Sequence, residues 1–198
     1  FYLIFMLLTG YFYNFKPVQL KNRPWGSLSA NALMGWLAFA IGWSANKFIS
    51  NELLIDTLPY LLFNTALYLF TTLPDINGDE SAKKNTLAVK YGVKSVILSA
   101  FFLFGIGLMI SFMLNDYQSL TFYILSIPFF IMTITSFEVT NTIKATKFGI
   151  LFFALSICLK IPVYFLLMLT IFFLTKIYFR YRFNLNYPRI LKSFLKSW

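Results

Sequence analysis

The 198-residue chain is 59% hydrophobic and 21% aromatic but only 12% charged, against about 25% charged in a typical soluble domain, so its solvent is a bilayer rather than water. It has no His and a single Cys, which excludes His-based zinc sites, Ser-His and Cys-His nucleophile systems and an internal disulfide. Seventeen basic residues against seven acidic ones leave a net charge of +10, and in so apolar a chain that excess points to membrane orientation and to anionic lipid or substrate before nucleic acid.

Seven apolar segments follow one another: 1–15, 28–45, 54–73, 95–114, 120–137, 148–159 and 161–179. Four of the middle five are long enough to cross a hydrocarbon core of about 30 Å, while the sixth is short enough to be re-entrant. The pattern predicts an all-α fold, a polytopic transmembrane bundle of about seven helices over residues 1–186. Charge placement arbitrates the sixth segment. If all seven cross, fifteen of the 17 basic residues share one side, with only Lys47 and Lys160 opposite. A re-entrant sixth segment would destroy that asymmetry, so the positive-inside rule favours seven crossings and a cytoplasmic loop at 71–92. No basic stretch precedes Phe1 as in a signal peptide, and the opening FYLIFMLLTGYFY reads as the interior of a longer chain.

Several residues serve as punctuation and anchors. Pro59, Pro128 and Pro162 lie within or at the start of apolar runs, where they kink or begin helices. Trp25, Trp43, Tyr60, Tyr68, Tyr178 and Tyr181 fall near segment ends, the place of interfacial anchors. The tail 187–198 puts Ile190, Leu191, Phe194 and Leu195 on one helical face beside Lys192 and Lys196, the pattern of an in-plane interfacial helix. Cys158 reads as a small buried side chain. Asn31 and Asn64 lie on apolar helices, where interhelical hydrogen bonding is their first expected role. Glu138 and Asn141 stand at the end of the fifth segment, and Glu138 has the headgroups within reach.

Charge concentrates in one stretch between apolar runs, TTLPDINGDESAKKNTLAVKYG at 71–92. Asp75 and Asp79 are four apart, so a helix would put both carboxylates on one face, and the Asn77-Gly78 turn signal would converge them in a tight turn instead. Two convergent carboxylates suit a metal or a metal-bound phosphate, and an Asp-rich loop between membrane helices is equally a solvated connection.

Asp75, Gly78, Asp79, Thr86, Leu87, Ala88, Val89 and Gly92 resemble, in register, the second Asp-rich motif of the UbiA-type intramembrane prenyltransferases. The stretch YNFKPVQLKNRP at 13–24 is similar to that family's Tyr-Lys loop, with Tyr13, Pro17, Leu20 and Lys21 matching. The two motifs come in the family's order, and the resemblance extends over nearly the whole chain. It implies transfer of a prenyl group from a polyprenyl diphosphate to an aromatic or other lipophilic acceptor, with the lipid bilayer as a further partner and no nucleic acid. It also implies Mg²⁺ held by Asp75 and Asp79 as catalytic residues, with Lys21, Lys90 and Tyr13 receiving the diphosphate. Tyr13 is in addition the one aromatic whose motif position suits an allylic cation. The bacterial inner membrane is the implied location.

The chain also departs from the family pattern. Nothing corresponds to the family's first Asp-rich motif, so the chain reads as the C-terminal two-thirds of such an enzyme. Lys83 replaces a Gly common after the second motif, and Thr72 stands where some members that prenylate aromatic acceptors carry Asp. Seven helices rather than the corresponding part of nine imply an extra C-terminal helix or a broken one. The alternatives are an inactive truncated prenyltransferase or a non-enzymatic, transporter-like membrane protein. A CDP-alcohol phosphotransferase would need an Asp-Gly-Ala-Arg context that is absent.

Overall fold

The structure, a computed structural model, describes residues 1–45 and 50–185. Lys47 and the interfacial helix expected at 187–198 lie outside them. The described chain is helical throughout: α1 (Tyr2–Asn14), a 3-10 turn (Leu20–Asn22), α2 (Pro24–Ser44), α3 (Asn51–Thr71), α4 (Ile76–Ser81), α5 (Leu87–Met113), α6 (Tyr117–Ser136), α7 (Val139–Lys160) and α8 (Pro162–Phe183). Each of the seven apolar segments lies on one long helix, and no strand occurs among the described residues. Helices α3, α5, α6, α7 and α8 are long and apolar enough to cross a membrane. The sixth segment is therefore no fragment: Val139–Lys160 extends it through the polar residues before Phe148 to 22 residues. The 13 residues of α1 span about 20 Å, short of the hydrocarbon core.

Local chemistry sets the helix ends. Pro24 and Pro162 open α2 and α8 at the first turn, where the missing N–H costs nothing. Asp116 caps α6 by accepting from the backbone N–H groups of Gln118 and Ser119, and Thr86 accepts from Val89 at the start of α5. Pro59 and Pro128 are tolerated inside α3 and α6, as expected where neighbouring helices satisfy the backbone. Gly92 interrupts α5 with φ 77° and ψ 168°, a conformation open in practice to glycine alone.

The chain forms two compact units, residues 1–153 and 154–198. In the first, α3 is central, with Leu53, Phe63, Ala66, Leu69 and Phe70 all buried. An aromatic core ties it to its neighbours: Phe63 meets Phe104 of α5, Phe122 and Tyr123 of α6 and Phe153 of α7. Phe104 stacks on Phe130 at 3.9 Å. The Tyr123 hydroxyl donates to the Pro59 carbonyl at 2.8 Å and lies against Gly107 so closely that no Cβ fits there. In the second unit, Cys158 is buried with its Sγ 3.8 Å from Met168 Sδ, and α8 ends on Arg180 and Arg182. None of the residues of α8 is buried.

Two anchor assignments change. Tyr60 does not sit at the surface as an interfacial anchor: its hydroxyl donates to Asp116 at 2.8 Å and its ring packs on Phe39 and Phe122. Tyr68 also turns inward, as described below. Both lie on α3, whose central position the linear sequence does not show.

Candidate active site at the charged end of the bundle

The loop after α3 is built around Asp79. Asp75 is the N-cap residue of α4, and its carbonyl accepts from the Asp79 N–H at 2.8 Å, while its carboxylate makes no capping bond. The helix then closes in a Schellman turn. The Lys84 N–H donates to the Asp79 carbonyl at 2.9 Å and the Lys83 N–H to that of Glu80 at 3.0 Å. Lys83 takes the left-handed conformation between them, with φ 55°. That turn brings the Lys84 ammonium back to Asp79 Oδ1 at 2.8 Å, with the two side chains 42% and 14% exposed. Asp79 holds Lys84 above the usual lysine range, first through this hydrogen bond and then through its charge, with Asp75 and Tyr13 adding smaller contributions.

Three further side chains converge from the helices. The Tyr68 phenol of α3 lies beside Ser27 of α2 and Tyr13 of α1 and within the field of Asp79. Asn64, one turn before Tyr68, donates to Asn31 Oδ1 at 3.2 Å, one turn after Ser27. Two four-residue spacings, Ser27–Asn31 and Asn64–Tyr68, thus build a polar stripe descending from the loop. At 1.5 Å per residue it reaches Asn64 about 10 Å below the end of α3. Asn64 stays exposed although its helix crosses the membrane, a costly position against lipid tails but suitable for lining a polar cavity. Gly35 lets Asn64 approach α2, since a Cβ there would stand 2.9 Å from Asn64 Nδ2.

Among the residues expected from the sequence, Tyr13 and Asp79 both lie near enough to act on Tyr68 and Lys84, and Asp75 near enough to act on Lys84. The 3-10 turn carries Lys21, and no described interaction joins it to this cluster. Lys90 is turned elsewhere, its ammonium 5.2 Å from the centre of the Tyr91 ring. Tyr68 and Ser27 were not among the expected site residues, and Lys84, a possible diphosphate contact by sequence, reads there first as a positive-inside lysine. Glu138 and Asn141 form a local cap instead of a site: Glu138 Oε2 accepts from Thr140 and Asn141, and Asn141 also donates to Ser136.

Two carboxylates and no neutral nitrogen or sulfur donor make an oxygen site, the kind Mg²⁺ takes through one or two carboxylates and substrate phosphates. No group of three or more His, Cys, Asp or Glu comes together among the described residues, and Asp75 and Asp79 are the motif carboxylates this loop offers beside Glu80. The residues fit such an ion on donor chemistry.

An all-helical bundle with membrane-length apolar helices and a carboxylate–lysine loop at one end defines an integral membrane protein with a charged site at its boundary. The family model described as the UbiA prenyltransferase family matches residues 1–147, and the chain belongs to that family. The match ends at the first turns of α7, so the family likeness is shorter than the motifs led one to expect and leaves α8 beyond it. No curated protein and no solved structure matches the chain.

Proposed function

We propose that the protein transfers a prenyl group from a polyprenyl diphosphate to an aromatic or other lipophilic acceptor inside the membrane, with Mg²⁺ at Asp75 and Asp79. The observation that carries this reading is that residues of both motifs lie close to the same two side chains: Tyr13 of the first and Asp79 of the second each lie near enough to act on Tyr68 and on Lys84. Mg²⁺ would supply countercharge for the diphosphate oxygens. Lys84 and Lys21 add hydrogen-bond donors of the right sign for that head group. The allylic C–O bond breaks with its electron pair leaving on the diphosphate, and the acceptor carbon or heteroatom attacks the resulting cation and releases a proton. The Tyr13 and Tyr68 faces attract that cation, each by about 1–2 kcal/mol in a desolvated site. Asn31, Asn64 and Ser27 give the acceptor's polar group partners below the loop. Lys90 is left out of the set, because its ammonium lies on Tyr91.

The loop end of the first unit carries nine basic residues among those described, from Lys16 to Lys147, and the opposite end carries none of that unit's described basic residues. This separation supports a cytoplasmic site in an inner membrane.

The test is an assay of the chain in its native membrane with a prenyl diphosphate, an aromatic acceptor and Mg²⁺. Changing Asp75→Asn and Asp79→Asn together should lower turnover by about two orders of magnitude, as losing preorganised charge stabilisation does, while membrane insertion stays normal. Normal turnover in the double variant would sink the reading.

A further inference from the structure

A cavity lies away from the Asp79 cluster. It is an apolar groove of about 360 Å³ between α2, α3 and α5, with Trp25, Leu28, Leu69, Tyr91, Ser99 and Phe102 in its walls. Successive helix residues are rotated by about 100°, so Leu69 faces well away from its neighbour Tyr68, and Trp25 and Leu28 face away from Ser27. The groove opens outward: Trp25 is 60% and Phe102 67% exposed, and Phe102 lies on α5, a helix long and apolar enough to cross the bilayer, where outward means toward lipid. Its depth has a definite measure. From the kink at Gly92 to Leu103, also in the wall, α5 rises about 16 Å, close to half of a hydrocarbon core of about 30 Å. One end is therefore at the headgroup level and the other near the bilayer centre.

Charge marks the headgroup end. The Lys90 ammonium stands over the Tyr91 ring at the mouth, where Trp25 packs edge-on against Tyr91 at 6.0 Å. Arg23 precedes α2 on the same side, and Lys94 follows one turn further along α5, its ammonium on the Phe137 ring. No acidic residue lines the groove. A slot one leaflet deep, apolar along its length, with an aromatic pair and an exposed lysine at its polar end, is complementary to a lipid with a negative headgroup. We propose that this groove seats one acyl chain of an anionic phospholipid, with Lys90 receiving its phosphate. The site is separate from the proposed prenyl transfer and does not depend on it.

Native mass spectrometry of the detergent-purified chain tests this with equal amounts of phosphatidylglycerol and phosphatidylcholine. The wild-type chain should retain phosphatidylglycerol preferentially. Lys90→Gln should cut that preference roughly fivefold, the effect of one basic residue near an anionic headgroup. Ser99→Phe, which fills the slot without touching its charge, should lower retention of both lipids. Lys90 is exposed and packs in no core, so its variant keeps the fold, and Ser99→Ala serves as the matched control that keeps the slot open. Equal retention of the two lipids by the wild-type chain would overturn the proposal, as would full retention by both Lys90→Gln and Ser99→Phe. Displacement of the phospholipid by equimolar farnesyl diphosphate would overturn it too, by assigning the groove to a prenyl donor.

Discussion

Lys83 occupies the left-handed position of the Schellman turn that closes α4. Glycine is the usual residue there, because a Cβ is strained at positive φ, and glycine is what the family motif carries. Lys83→Gly should therefore raise stability by about 1 kcal/mol, read as a higher thermal midpoint in detergent; an unchanged or lower midpoint would contradict the turn assigned here. Its neighbour acts differently. The hydrogen bond from Lys84 to Asp79 raises the lysine's pKa, so the ammonium keeps its proton throughout the neutral range and the pair is lost only as pH climbs through that raised value. Lys84→Gln should consequently weaken prenyl diphosphate binding several-fold, with a KM effect that stays constant across neutral pH. A difference that appears only toward acid pH would place the relevant titration on another group. The spacing of five between Asp79 and Lys84 hid this pair in the sequence, since on a continuous helix those positions diverge. The turn at Lys83 brings them together.

At the scale of the helix, glycines decide which faces approach. α5 and α6 meet where Gly107 faces the Tyr123 hydroxyl, and that hydroxyl is held by the Pro59 carbonyl of α3. Gly107→Ala should destabilise by about 1–3 kcal/mol, the usual cost of overpacking, because Tyr123 cannot swing aside without giving up its bond. Thermal unfolding measures this directly, and a midpoint equal to wild type would show that the helices slide apart freely. Seven apolar segments were legible as seven helices because run length alone carries that information. The length of α7 was less legible, since its first two turns contain Thr140, Asn141, Lys144 and Lys147 and do not read as apolar. Pairing is a property of faces. For that reason Tyr60 and Tyr68, which look like interfacial anchors near the ends of an apolar run, turn out to be an interhelical link and a component of the candidate site.

Across the whole molecule, charge and fold agree in a way that can be measured. Nine described basic residues gather at the loop end of the first unit and none of its described basic residues lies at the other, which predicts that the loop end faces the cytoplasm. In a Cys158→Ser background, a cysteine at Lys83 should be shielded from a membrane-impermeant thiol reagent added outside cells, and one at Asn115 should be labelled. The reverse pattern would invert the orientation. The sequence by itself determined the solvent, the helical class, the two family motifs and the carboxylate loop, because composition, run length and short spacings are local quantities. Only the tertiary structure decided that Tyr13 and Ser27 come beside Tyr68, that Lys84 rather than Lys90 stands beside Asp79, and that Asn31 and Asn64 bond across two helices. Those contacts join residues on different elements, and they depend on helix rotation and on one left-handed turn.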